Sequence, residues 1–267
     1  MKKIIAYSLW GDAPMYNVGA VENADNALEH YPDWICRYYI GESVPNETLE
    51  KLASKPNTEI IKVASSNDWT SSIWRFHAVD NSDVVIFRDT DSRLTQRERT
   101  AVNEWLASNK IIHIMRDHPY HTERIMAGMW GVLCKPFMSM LKQKLDLDQV
   151  TFAEVIRQWM LHTNFTLDEK GIDQHFLRMI YSLTFNEAFI HDQFPNFNGH
   201  SNRHPTQIAI GGVQEFSTGF PVRYKNSNDF VGQVYDENNV PVKEYADILV
   251  EKMKSINSDP FSESESE

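Results

Sequence analysis

Strand-like and helix-like segments alternate through the first 117 residues, and this alternation limits the fold more than any other feature of the chain. "KIIAYSLW" reads as a strand and "VGAVENADNALEHY" as a helix, with Val18, Val21, Ala24, Leu28 and Tyr31 at helical spacing on its expected buried face. "ICRYYIG" (strand), "NETLEKLAS" (helix), "TEIIKVA" (strand), "SSIWRFHAV" (helix) and "DVVIFRD" (strand) follow. Parallel neighbours need crossover connections, so this order implies a mostly parallel sheet covered by helices on both faces. "TQRERTAVNEWLASN" is expected to be a helix, with Thr95 and Glu98 at capping-box spacing, and "KIIHIMRD" a further strand.

After Asp117 the pattern loosens. Two helical stretches fall around residues 136–161, then "GIDQHFLRMIYSL" reads as a helix and "EAFIHD" as a short strand. The stretch from "RHPTQIAIGG" to "FVGQVYDENNVPV" is rich in Asn, Gly and Pro and reads as loops and short strands. "VKEYADILVEKMKSI" closes the chain as a helix, and residues 256–267, acidic and serine-rich, have too little to bury and are expected to be disordered.

Hydrophobic content of 42% in 267 residues is enough for one large domain. A net charge of −11 argues against general affinity for nucleic acid or anionic membrane. No apolar run is long enough to span a membrane, and "MKKIIAYSLWGDAP" reads as a first strand instead of a leader. Cys36 and Cys134 both lie in apolar surroundings, where buried free thiols are expected; a reducing, cytoplasmic compartment fits.

The chemistry concentrates in "VVIFRDTDSR", where an apolar strand runs into Asp89 and Asp91. Ligands of open parallel sheets bind outside the carboxyl ends of the strands. Residues i and i+2 of extended chain point to one side, so two carboxylates there can share a hard divalent cation, Mn2+ or Mg2+. A solvated turn with one aspartate capping the next helix is the competing reading, and D-x-D alone does not decide between them.

The surroundings of the motif add to it. "SSIWRFHAVDNSDVVIFRDTDSRL" resembles the central signature of metal-dependent GT-A glycosyltransferases, particularly the glycogenin and bacterial galactosyltransferase group, in which an aromatic-x-Arg helix precedes an apolar strand ending in D-x-D. The resemblance extends to "IIAYSLWGDAPMYNVGAVENADNAL", "MAGMWGVL" and "GIDQHFL", over roughly the first 190 residues. It implies a GT-A-like, Rossmann-like mixed and mostly parallel sheet in a single domain, residues 1–255. Residues 1–117 would form the nucleotide-sugar half and 118–255 the acceptor-side half.

The implied activity is a hexosyltransferase-like transfer of sugar from a nucleotide donor, a uridine diphosphate sugar, to a glycan or other hydroxyl acceptor. Asp89 and Asp91 would hold the metal against the diphosphate. Arg75, fourteen positions before Asp89, would bind diphosphate or donor sugar, with a surface salt bridge as its bland alternative. Ser8, Leu9 and Trp10 would contact the base, Trp10 being equally a core residue, and Tyr16 and Asn17 lie where a ribose would. Asp173 and Gln174 would face the transferred sugar, Asp173 as general base or hydroxyl ligand; a carboxylate favoured by the helix N-terminus competes with that role. The group's C-terminal His-x-x-Gly-x-x-Lys-Pro-Trp pattern is absent. "FIHDQF" is the nearest substitute, which makes His191, or else Asp192, the expected third metal ligand.

Arg116, Asp117, His118 and His121 in "HIMRDHPYH" form a charged cluster expected on the same rim, where they could line an acceptor pocket or, as a weaker reading, hold a second metal. Trp130 between two near glycines reads as a sugar platform or as core. Two other classes share the strand-end aspartates. A haloacid-dehalogenase-like phosphatase would carry D-x-D near its N-terminus with Thr or Val where this chain has Arg93, and three strands precede the motif here. A non-catalytic nucleotide-sugar or glycan-binding protein would need the same arginine and aspartates, and the residues leave retention and inversion both open.

Overall fold

In the computed structural model, the described residues are 1–64, 68–194, 208–209 and 213–256. The expected tail therefore lies outside them except for Ile256, as does most of the stretch from Arg203 to Gly212. A seven-stranded sheet runs in the order β3 (Thr58–Val63), β2 (Ile35–Gly41), β1 (Lys3–Leu9), β4 (Val84–Phe87), β6 (Trp130–Leu133), β5 (Ile112–Arg116), β7 (Ala188–Asp192). Only β6 runs against the others. The sheet is mostly parallel and mixed, flanked by helices, as the alternation implies. β8 (Ile208–Ala209) and β9 (Val213–Gln214) pair separately.

Side-chain alternation along β1 builds a core on each face: Ile4 and Ala6 pack on one side, Ile5, Tyr7 and Leu9 on the other. The first core is covered by α4 (Cys134–Leu145), α5 (Phe152–His162), α6 (Ile172–Thr184) and the helical segment Trp69–Asn81. The second is covered by α1 (Pro14–His30), α2 (Asn46–Ala53) and α3 (Gln96–Ala107). β1 has β2 on one side and β4 on the other, so the chain reverses its winding between β1 and β4 and leaves a crevice at their carboxyl ends.

Several local expectations change. The buried face of α1 is Asn17, Gly19, Ala20, Asn23, Ala24 and Ala27, and Leu28 is 44% exposed. Small residues let the helix press against the loop after β4: a Cβ on Gly19 would meet the Thr90 carbonyl oxygen at 1.9 Å. The segment Trp69–Asn81 is a thirteen-residue 3-10 helix, long for that geometry. Its Arg75 amide donates to Ser8 Oγ on β1 at 3.0 Å, and Ser8 donates to the Ser72 carbonyl at 3.3 Å, so β1 engages its backbone directly. Thr95 caps α3 by accepting from the Glu98 amide, but the Glu98 side chain does not return the bond; Arg88 and Tyr31 hold it instead.

Candidate functional site

Alternation at the end of β4 separates the two residues of "RD". Arg88 turns into the core, where its Nε donates to Glu98 at 2.8 Å and its Nη1 to the Phe87 and Trp130 carbonyls. Asp89 turns out, its side chain 49% exposed. The next three carbonyls are all gripped. Asn23 and Arg93 each donate to those of Thr90 and Ser92, and the Tyr235 amide donates to that of Asp91 at 2.8 Å. Arg93 also lies over the Tyr235 ring and donates to Asn239. The loop is thus braced by α1 and by the C-terminal segment, which leaves the Asp91 side chain to project toward the crevice.

There a cleft of about 560 Å³ is lined by Ser8, Leu9, Trp10, Tyr16, Arg75, Asp89, Asp91, Asp173 and Gln174, which gathers residues from four distant segments. Arg75 is at their centre and buried. Nη1 donates to the Arg88 carbonyl at 2.9 Å and to the Asp89 carboxylate, and Nη2 to Asp173 Oδ2 at 3.0 Å. Burial works against its charge, but Asp89 and then Asp173 push its pKa up. It is a bridge between two carboxylates, not a surface ion pair.

Asp173 sits in the first turn of α6 after Gly171, whose φ of +91° admits the tight entry. Burial raises its pKa against the pull of Arg75, with Asp89 adding to the rise, and its Oδ1 accepts from the Gln174 amide at 2.9 Å. The Asp91 carboxyl is pushed up to about 7 by burial and by Asp89. Among the described residues no cation forms an ion pair with it.

These donors fit a hard divalent ion. They are two carboxylates on one rim, one of them destabilised in its charged form by burial and by the other, with Arg75 and Arg93 only partly offsetting that. Among the described residues no cluster of three His, Cys, Asp or Glu side chains gathers for a metal, so protein would supply only part of a coordination shell and water or phosphate oxygens the rest.

Other expected residues lie apart from the two aspartates. His191 is fully buried; its Nδ1 lies 2.8 Å from His113 Nε2 and its Nε2 2.9 Å from Glu104, with Trp105 stacked on His113. Both its nitrogens are taken on the face of β7 away from the aspartates, so it cannot join them. The alternative, Asp192, is bound to Arg116, which also holds Glu215. Trp130 is fully buried and stacked on Phe87 at 4.2 Å, hence core. Arg116 and Asp117 are likewise closed, Asp117 being held by Arg97, Tyr224 and the Val231 amide. A second metal among Asp117, His118 and His121 has too few donors left. His118 accepts from the Tyr120 amide and meets the Tyr245 carbonyl, and His121 accepts from the Asp117 amide.

Asn17 does not line the cleft. Its amide donates to the Gly11 and Ala13 carbonyls and so shapes the loop that does. Asp12, Ser43, Trp69, Gly128 and Lys170 line it unannounced. Gly128 had a legible signal, a glycine at the mouth of a strand: a Cβ there would lie 1.9 Å from Asp89 Oδ2. Trp69 stands edge-on to Trp10 with ring centroids 6.1 Å apart, and Lys170 sits over Trp69.

No protein-family profile matches the chain, and no curated protein does. Among solved structures, an active-site mutant of LgtC is similar over 82% of this chain and 88% of its own, at 11% identity and a TM-score of 0.47. The mannosyltransferase PcManGT from Pyrobaculum calidifontis, in complex with GDP-Man and Mn2+, is similar over 72% of this chain and 55% of its own, at 12% identity and a TM-score of 0.47. S. aureus TarS 1-349 is similar over 71% and 58%, at 12% identity and a TM-score of 0.46. Among the described residues no helix is long and apolar enough to cross a membrane.

Proposed function

We propose that this protein is a metal-dependent glycosyltransferase of GT-A-like fold that moves a sugar from a nucleotide-diphosphate donor, a uridine diphosphate sugar, to a hydroxyl acceptor. The observation that carries the reading is the Arg75 bridge: one buried guanidinium joins Asp89, the first strand-end aspartate, to Asp173 in the first turn of α6, in a cleft at the reversal point of the sheet. Asp89 and Asp91 would hold Mn2+ or Mg2+, and a cation there offsets the charge that develops on the diphosphate as it leaves. Trp10 and Trp69 offer aromatic faces to the base, with Ser8, Leu9 and Tyr16 beside them. Residues 1–117 would bind the donor and 118–255 the acceptor.

In the transfer, the bond from the sugar's anomeric carbon to phosphate oxygen breaks with its electron pair going to the diphosphate, and a bond to the acceptor oxygen forms. The acceptor's proton needs a base. Asp173 suits that role because burial makes it a better proton acceptor than an exposed carboxylate, while Arg75 keeps it oriented; Gln174 is placed beside it to hold sugar hydroxyls. The two buried free cysteines accord with a reducing, cytoplasmic setting.

A screen of nucleotide-sugar donors, read by release of nucleotide with and without Mn2+, tests the proposal. Turnover that depends on Mn2+ is expected. Nucleotide-sugar binding without turnover would identify a non-catalytic binding protein, and release of inorganic phosphate from simple phosphoesters would identify a phosphatase.

A further inference from the structure

Behind the aspartates lies a second cavity, about 190 Å³. It shares Asp89, Asp91, Met126 and Gly128 with the large cleft, so a ligand in one space lies directly against the other. Its remaining wall comes from the "DHPYH" loop and the C-terminal segment, chiefly His118, Tyr120, His121, Phe230 and Tyr245. His118 is packed among rings, with centroids 4.6 Å from Phe230, 5.5 Å from Tyr120 and 6.2 Å from Tyr245. Gly232, at φ +88°, keeps the space open: a Cβ there would come within 2.9 Å of Met129 Sδ and 3.3 Å of the His121 ring.

The chemistry of this wall selects its occupant. Among the described residues no lysine or arginine lines it. His118 Nδ1 accepts from the Tyr120 amide at 3.1 Å and His121 Nδ1 from the Asp117 amide at 3.0 Å, so each ring carries no proton on that nitrogen and is neutral. The charged groups of the wall are the Asp89 and Asp91 carboxyls, so it offers oxygens to hydroxyl donors and no side-chain cation to a phosphate or carboxylate. Tyr120, 49% exposed, Phe230 and Tyr245 supply apolar faces of the kind on which the C–H side of a sugar ring rests. The volume equals that of about six liquid waters, which is room for one ring and not for an extended chain.

We propose that this cavity binds one neutral, polyhydroxylated ring, the terminal monosaccharide of the acceptor, with hydroxyls directed at the rim around Asp89 and Asp91 that it shares with the large cleft. Its naming as an acceptor rests on the glycosyl-transfer reading above; its selectivity for a neutral sugar does not.

The test is saturation-transfer NMR on the full chain with methyl hexopyranosides as probes, beside glucuronate and glucose 6-phosphate. Transfer to at least one neutral glycoside is expected, with none to the charged sugars. Tyr120→Ala should weaken the neutral glycoside by about fivefold, the worth of one aromatic face, and Val234→Trp, which fills the cavity while removing no aromatic wall, should abolish binding. Melting curves of both variants show whether they are folded; if one is not, the other decides. Silence from every neutral glycoside, equal transfer to the charged sugars, or unchanged binding in the folded variants would overturn the proposal. Calorimetric titration of the wild type with UDP and Mn2+ separates the two readings. Loss of nucleotide binding alongside intact sugar binding would refute the donor site and leave this cavity standing.

Discussion

Strands β4 and β5 end in the same dipeptide, Arg88-Asp89 and Arg116-Asp117, and the two ends have opposite fates. At β5 everything closes. Asp117 is fully buried with both carboxylate oxygens on Arg97, at 2.6 and 2.7 Å, and further donors from Tyr224 and the Val231 amide. At β4 the arginine closes onto Glu98 but the aspartate stays open, sharing Arg75 with Asp173, while Asp91 has no paired cation among the described residues. The difference lies in what covers each end. The C-terminal segment lays Tyr224 and Val231 over Asp117, but it holds the β4 loop by the Asp91 carbonyl and the Arg93 side chain, through Tyr235 and Asn239, and among the described residues it puts no donor on the Asp89 or Asp91 carboxylate. An Arg–Asp pair at a strand end is thus scaffold where donors saturate it, and where they do not it leaves a carboxylate facing the cleft.

The largest way to break this comparison is at the closed end. Asp117→Ala strands Arg97 without its partner in a dry environment, and removal of one member of a buried pair costs about 3–5 kcal/mol. Urea denaturation should show that loss. A change no larger than that of a surface substitution would mean that the β5 network is not scaffold.

At the open end the effects should appear in chemistry instead of stability. Asp173→Asn keeps the shape and can still accept from Arg75, but it removes the proposed proton acceptor. Turnover should fall by about 100-fold, with donor affinity far less affected, because the lost interaction belongs to the transition state. Steady-state kinetics with direct donor titration separates the two. Near-normal turnover would remove Asp173 from the chemistry and leave it an orienting partner of Arg75.

Asp91→Asn is expected to be smaller again and different in kind. Neutralising a carboxylate crowded by burial and by Asp89 should leave the melting temperature unchanged or raised, the reverse of Asp117→Ala. The cost should fall on Mn2+-dependent UDP affinity, about tenfold or more for loss of one charged ligand. Unchanged Mn2+ dependence in both Asp89→Asn and Asp91→Asn would make the motif a structural turn.

The sheet and its open rim were legible because both follow from local pattern: apolar runs of strand length, helical spacing between them, and acids placed where a parallel strand stops. The failures share a cause in long-range packing. On α1 the expected face holds at Val21, Ala24 and Tyr31 and fails at Leu28, while the close approach of Gly19 to Thr90 is visible only in the fold. Trp130 reads equally as platform or core, and what decides for core is packing: Gly131 beside it sits so close that a Cβ there would lie 2.9 Å from the Val85 carbonyl oxygen. His191 left an apolar run toward a turn, as a ligand would. Nothing local tells that β5 lies beside β7 and sets His113 opposite its ring. The bracing of the Asp91 loop by Asn23, Arg93 and Tyr235 spans more than two hundred residues and has no signature in any one segment.

Lys170 offers the finest test of what makes the β4 end open. The closed end spends its arginines on its own acids, and at the open end Arg75 is already committed to Asp89 and Asp173. An incoming diphosphate therefore needs another cation besides any metal, and Lys170 lines the cleft with its ammonium 5.8 Å from the Trp69 ring centroid and no acid paired with it among the described residues. Its segment is held to the rim by Asp168, which accepts from the Trp69 amide at 3.1 Å. Because the side chain is exposed, its contribution is small, about 0.2–1 kcal/mol, or roughly a factor of 1.4 to 5 in affinity. Lys170→Ala should weaken UDP by that factor and leave uridine unchanged, since only the former carries phosphate. Lys170→Arg should restore most of the loss, and raising the salt concentration should shrink the difference between wild type and Lys170→Ala. Equal weakening of UDP and uridine would instead make Lys170 a prop for Trp69, and its role would then be to shape the base pocket.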